Sequence, residues 1–213
     1  MRIAAAAFLI GGGFVLAACE TGPPISPAQC SVADWRAVGD QDGASGRAPE
    51  RFVALQQACA AVGLGADQSL YMQGRGEGLA TYCQPDRGFR LGLAGTGYNG
   101  VCPPDLDVVF RGAHDDGMRA YNALSAQRSA ESTISSLRSE REDIEHKIDA
   151  NEAGLIASQT DAERQRHRDE LIHLRDDRNR IEGRLRDAEY DQRDRGRDVT
   201  RLRGELGFRY GTW

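Results

Sequence analysis

The chain has 213 residues, 28% of them charged, and a formal net charge of −5. That balance gives no electrostatic footprint for nucleic acid. The length suits one small globular core plus something elongated, and excludes a large single domain.

The N-terminus reads as an export signal. Arg2 is the positive end, and Ile3 to Val15 form an apolar run broken by Gly11-Gly12-Gly13. Crossing a bilayer takes ~20 apolar residues, so the run suits a cleaved signal better than a transmembrane helix. Leu16-Ala17-Ala18-Cys19 has the form of a bacterial lipobox. The expectation is a signal peptide over 1–18, with Cys19 lipidated and first in the mature chain; an ordinary secretory signal cut elsewhere is the alternative. One acyl chain holds a protein only marginally, whereas two or three anchor it. Glu20 stands where an Asp would retain a lipoprotein in the inner membrane, which favours the outer membrane, facing the periplasm. Residues 19–29 form the tether, with Gly22-Pro23-Pro24-Ile25-Ser26-Pro27 expected to be extended and outside any core.

Cys30, Cys59, Cys83 and Cys102 all lie before residue 122. An even count in an exported domain reads as two disulfides. There is no CxxC pair, and His114 is the one histidine near them, so no metal site and no cofactor are expected. Asp34–Gly43 and Pro49–Val62 read as two short helices turning at Ser45-Gly46. Packed antiparallel, they bring Cys30 to Cys59. A further helix over Asp67–Cys83, ~25 Å long, carries Cys83 away from Cys59. Disulfides need Cα atoms within ~7 Å, which favours Cys30–Cys59 with Cys83–Cys102.

A degenerate pattern recurs three times. Trp35, Gly39, Asp42 and Gly43 form the first copy. Tyr71, Gly74, Glu77, Gly78 and Tyr82 form the second. Phe110, Ala113, Asp116, Gly117 and Tyr121 form the third. The spacing lines aromatic and small residues along one helix face. Glycine inside a helix costs ~1 kcal/mol relative to alanine, so close packing must offset it, with the gaps expected to admit aromatic rings. A functional reading has Asp42, Glu77 and Asp116 ring a shared cleft. Residues 84–100 read as a glycine-rich surface loop or ragged hairpin, and Gly92, Gly95 and Gly97 lack the context of a phosphate loop. Trp35, Tyr71, Tyr98 and Asn99 are the candidate ligand or partner contacts.

Asp34-Trp35, Gly39, Asp42-Gly43, Cys59, Tyr71, Gly74, Gly78, Tyr82-Cys83, Phe89, Gly92, Tyr98 and Cys102-Pro103 together resemble a known family, the bacterial domain of unknown function 2799. The resemblance covers about residues 30–121. It implies a small cysteine-containing envelope domain and supplies no activity or catalytic residues.

Beyond Tyr121 cysteine disappears and charge rises. Ile134, Leu137, Ile144, Ile148 and Leu155 follow a heptad, as do Leu171, Leu174, Ile181, Leu185, Ala188, Val199, Leu202 and Leu206. Arg141, Arg178, Gln192 and Arg195 fall on the seam and should weaken it. Thr160-Asp161-Ala162-Glu163 is a capping box that starts a new helix. The expected architecture is mainly α: a disulfide-stapled helical domain over 30–121, then an antiparallel coiled-coil hairpin over 122–206. A parallel homodimer is the alternative. The aromatic tail 207–213 is expected to return to the base. His146, His167 and His173 share no face that would hold a metal.

The expected function is structural. The chain is read as a lipid-anchored envelope lipoprotein whose coiled coil meets an envelope protein, with no enzymatic activity. A domain that binds peptidoglycan or a small ligand is the alternative.

Overall fold

A computed structural model describes residues 25–213. The expected signal peptide over 1–18 and the expected lipidation of Cys19 fall outside the described residues. Seven helices and no strand occur among the described residues. None of these helices is long and apolar enough to cross a membrane.

The short helices start where local chemistry starts them. α1 (Pro27–Val32) opens on a reciprocal box between Ser26 and Gln29. α2 (Trp35–Ala44) is capped by Asp34, whose carboxylate accepts the Ala37 N–H, and α4 (Gln68–Tyr82) by Asp67 in the same way. Each cap satisfies an amide that has no partner within its helix. α3 (Arg51–Ala60) lies between them. The tether is shorter than expected: Ile25 is buried in a cluster with Cys30, Trp35 and Phe52, and α1 begins at Pro27.

The expected loop over 84–100 is in large part a helix. α5 spans Pro85–Leu93, with proline in its first turn and Gly95 beyond its end at φ 71°. Proline near the start and glycine past the end are ordinary helix punctuation.

α5 reorganises the repeat. The three segments are not three equivalent helices; they belong to two helix pairs, α2 with α4 and α5 with α6 (Pro104–Ala157). Gly39 and Gly43 on the first helix of one pair, with Gly46 just past its end, match Gly88, Gly92 and Gly95 in the other, with identical spacing. Tyr71, Gly74, Gly78 and Tyr82 match Phe110, Ala113, Gly117 and Tyr121. Each pair carries its own disulfide, Cys30–Cys59 or Cys83–Cys102, with Cα atoms 5.6 and 5.8 Å apart. Each inner aromatic is covered from the intervening segment: Phe52 on Tyr71 at 4.8 Å and Tyr98 on Phe110 at 4.7 Å between ring centroids. Residues 30–82 and 83–121 are therefore two copies of one module.

The glycines do not admit rings between the helices, as the sequence suggested. They bring backbone onto backbone. A β-carbon on Gly39 would overlap the Tyr71 carbonyl oxygen, one on Gly78 that of Asp40, and one on Gly92 that of His114. Within the two modules rings enter at the two turns, where Tyr82 lies over Gly46 and Tyr121 over Gly95.

α6 has 54 residues and continues past residue 121 without a break. Three residues connect it to α7 (Asp161–Tyr210), which opens on the Thr160–Glu163 box. The two helices pack together through Ile134, Leu137, Ile144, Ile148, Leu171, Leu174, Ile181 and Leu185. Arg138 meets Glu189 at 3.2 Å, and Glu152 meets Arg175 at 2.9 Å. Arg141 and Arg178 each keep a buried, unpartnered Nε.

Candidate functional site

Two buried carboxylates organise the base of the molecule. Asp42, on α2, accepts the Tyr71 hydroxyl at 2.8 Å and the Arg51 Nε at 2.9 Å, with Arg47 at 3.5 Å. Burial, and then the bond to Asp42, push the Tyr71 hydroxyl far above its ordinary value. Arg75 lies beside this group and donates Nη2 to the Arg47 carbonyl at 2.9 Å.

Asp116, on α6, is the second hub. It accepts Arg119 Nη1 at 3.0 Å, Arg209 Nη1 at 2.8 Å and the Tyr210 hydroxyl at 3.1 Å. Arg119 also reaches Glu205 at 3.0 Å. The end of α7 is thus tied to the base by charge. It is also tied by aromatic packing, because Tyr210 and Trp213 both lie against Phe89 of α5. The tail returns to the base as expected, through Tyr210 and Trp213, while Phe208 is 98% exposed.

Asp42, Glu77 and Asp116 share no cleft. Glu77 pairs with Arg36 at the surface, and the other two sit in separate hubs. Among the four candidate contacts, Trp35 and Tyr71 are core, at 7% and 0% exposure. The Tyr98 hydroxyl donates to Asp107 at 2.6 Å and accepts the Cys102 N–H at 2.9 Å, and burial, then the bond to Asp107, raises its pKa. Asn99 alone of the four is exposed. The four cysteines within 25–213 are all in disulfides, and no His, Cys, Asp and Glu side chains group as a metal site among the described residues.

Sequence reasoning missed two features. His114 donates Nε2–H to the Thr96 carbonyl at 2.8 Å and belongs to the second module's interior. The Asp116 hub draws two of its three partners, Arg209 and Tyr210, from more than 90 residues downstream, and no local spacing could announce them.

The far end of the α6–α7 pair has a different surface. Of the large apolar residues between 122 and 206, only Ile156, Ile172 and Tyr190 are exposed. Tyr190 is covered in part by the Arg193 guanidinium. Ile156 and Ile172, at 87% and 57% exposure, line one shallow cleft with Leu155, Leu171, Arg168 and Arg175.

No curated protein and no solved structure matches the chain. Residues 34–119 match the family model described as protein of unknown function (DUF2799), which spans both modules from the cap of α2 to the Asp116 hub. Over these residues the base is similar to that family, and the match stops short of most of α6 and of all of α7.

Proposed function

We propose that this protein is a lipid-anchored lipoprotein of the bacterial envelope that acts as a structural or protein-interaction module. In this reading Cys19 carries the lipid and the residues between it and Ile25 join it to the base. Residues 30–121 form the disulfide-stapled base. Residues 122–206 form an antiparallel coiled-coil hairpin that reaches from the outer membrane into the periplasm and holds an envelope protein. The chain acts by binding, with no chemistry of its own.

The observation that carries this reading is the pair α6 and α7. At 1.5 Å per residue a helix of 54 residues is ~80 Å long, far more than the base needs. Its seam is apolar, its sides are charged, and residues early in α6 face residues late in α7. That pattern supports a hairpin of two antiparallel strands of coiled coil. The two uncovered isoleucines at its end, in an otherwise charged rod, supply a place for a partner to rest. The glycan-binding alternative loses support because Trp35 and Tyr71 are buried.

Two experiments test the reading. Metabolic labelling with a radioactive fatty acid should mark the chain, and Cys19→Ala should abolish the label. Cross-linking in cells should give a partner set that disappears when residues 125–206 are deleted. An unchanged set would remove the arm from the explanation.

A further inference from the structure

The two carboxylate hubs differ in charge balance. At Asp116 two arginines face two carboxylates, because Arg119 is shared with Glu205. At Asp42 two arginines, Arg47 and Arg51, pair with one carboxylate, and a third, Arg75, lies beside them on the Arg47 carbonyl.

The duplication provides an internal control. Superposing the glycine pattern of α2 on α5 places Leu91 opposite Asp42. Superposing α4 on α6 places Phe110 opposite Tyr71 and His114 opposite Arg75. The second module closes the same helix pair with no arginine and no carboxylate at those positions. The charged group is therefore not a requirement of the fold; it belongs to the first module alone.

Its arrangement leaves donors unused. Arg75 is 8% exposed, and its Nε is buried with no partner, which is costly for a guanidinium N–H. Arg47 and Arg51 spend Nε on Asp42 and keep their terminal nitrogens. Both reach solvent at the turn between α2 and α3, with side chains 49% and 30% exposed.

We propose that Arg47, Arg51 and Arg75 form a binding site for a phosphate group. The site carries a surplus of two positive charges. A phosphate monoester carries about −1.5 to −2 at neutral pH and three acceptor oxygens, whereas a carboxylate would leave one charge uncompensated. Guanidinium forks match tetrahedral oxyanions better than point charges do. Free phosphate and a lipid headgroup offer the same chemistry.

Calorimetric titration of the full chain in non-ionic detergent with inorganic phosphate, at about 0.15 M salt, tests the site. One-site saturable binding with a Kd on the order of 1 mM or tighter is expected. Arg47→Ala should weaken it at least about tenfold with an unchanged melting curve in the absence of phosphate. Arg119→Ala, at the balanced hub, should leave the affinity as it is. Short-chain phosphatidic acid binding about tenfold tighter than inorganic phosphate would identify a headgroup ligand, and equal affinity a soluble one. Absence of saturable binding, or equal loss from both arginine variants, would overturn the proposal.

Discussion

Phe89 and Tyr210 lie face to face, with ring centroids 4.2 Å apart and planes 6° from parallel. The two residues are joined by the whole of α6 and α7, so this stack closes the long excursion of the chain. Tyr210→Ala should destabilise the protein by about 2 kcal/mol, through lost ring contact and the lost bond to Asp116. That corresponds to a fall in Tm of roughly 4–8 °C. Phe208→Ala should change nothing measurable, since its ring touches solvent. Thermal melts followed by circular dichroism distinguish the two.

Three glycines of α4 should respond to alanine in opposite directions. At Gly74 and Gly78 a β-carbon would overlap the carbonyl oxygens of Arg36 and Asp40, and neither backbone can yield without separating α2 from α4. Alanine there should cost about 3 kcal/mol. At Gly76 a β-carbon meets nothing within 4 Å. Gly76→Ala should stabilise by ~0.5–1 kcal/mol through helix propensity alone. Denaturant midpoints of the three variants give the comparison, and equal signs would refute backbone contact as the reason for the glycines.

Alkaline pH should unfold the base. Burial raises the pKa of Tyr71, Tyr82, Tyr98 and Tyr210. A raised folded value means that the native state holds the phenolic proton more tightly than the unfolded chain does. The stabilisation is whole below the unfolded pKa of ~10 and is lost as the pH rises through the folded values. Tm should fall steeply above pH ~10, in step with tyrosinate absorbance. Tyr71→Phe should flatten that slope while lowering Tm at neutral pH, because Asp42 loses a donor.

Arg141 and Arg178 mark a weak point in the helix pair. Each buries an Nε that makes no hydrogen bond and has only a long contact, 3.4 Å to Glu145 or 3.7 Å to Glu182, along its own helix. Leucine at either position should stabilise the pair by about 1 kcal/mol, by extending the seam and removing a desolvated donor. An unchanged or lowered Tm would mean that the arginines do more than interrupt the seam.

Sequence patterns at short range were readable. The spacing of Ile134 through Leu206 marks the long helices because one apolar face must be covered over many turns. The length of a helix ending near Cys83 separates the two disulfide pairs, as the bonds at Cys30–Cys59 and Cys83–Cys102 confirm. α5 was hidden because Gly88, Gly92 and Gly95 read as loop composition; their value lies in what a second helix does against them. Pro85 and Gly95 were the punctuation that could have revealed it. Tyr98 reads as a loop tip from its glycine neighbours, yet Asp107 draws its hydroxyl inward. The Asp42 surplus depends on Arg75 folding back onto the Arg47 carbonyl, a contact 28 residues apart that no periodicity encodes.

α6 runs unbroken through both regions of the molecule. One hydrogen-bonded ladder runs from Pro104, next to the Cys83–Cys102 bond, to Ala157 at the far turn. No break in the helix separates the two regions. The same helix that carries Ile156 carries Gly117, which meets Gly92 where the backbones of α5 and α6 come into contact. The tip of the helix pair and the glycine crossing in the second module thus lie on one continuous helix.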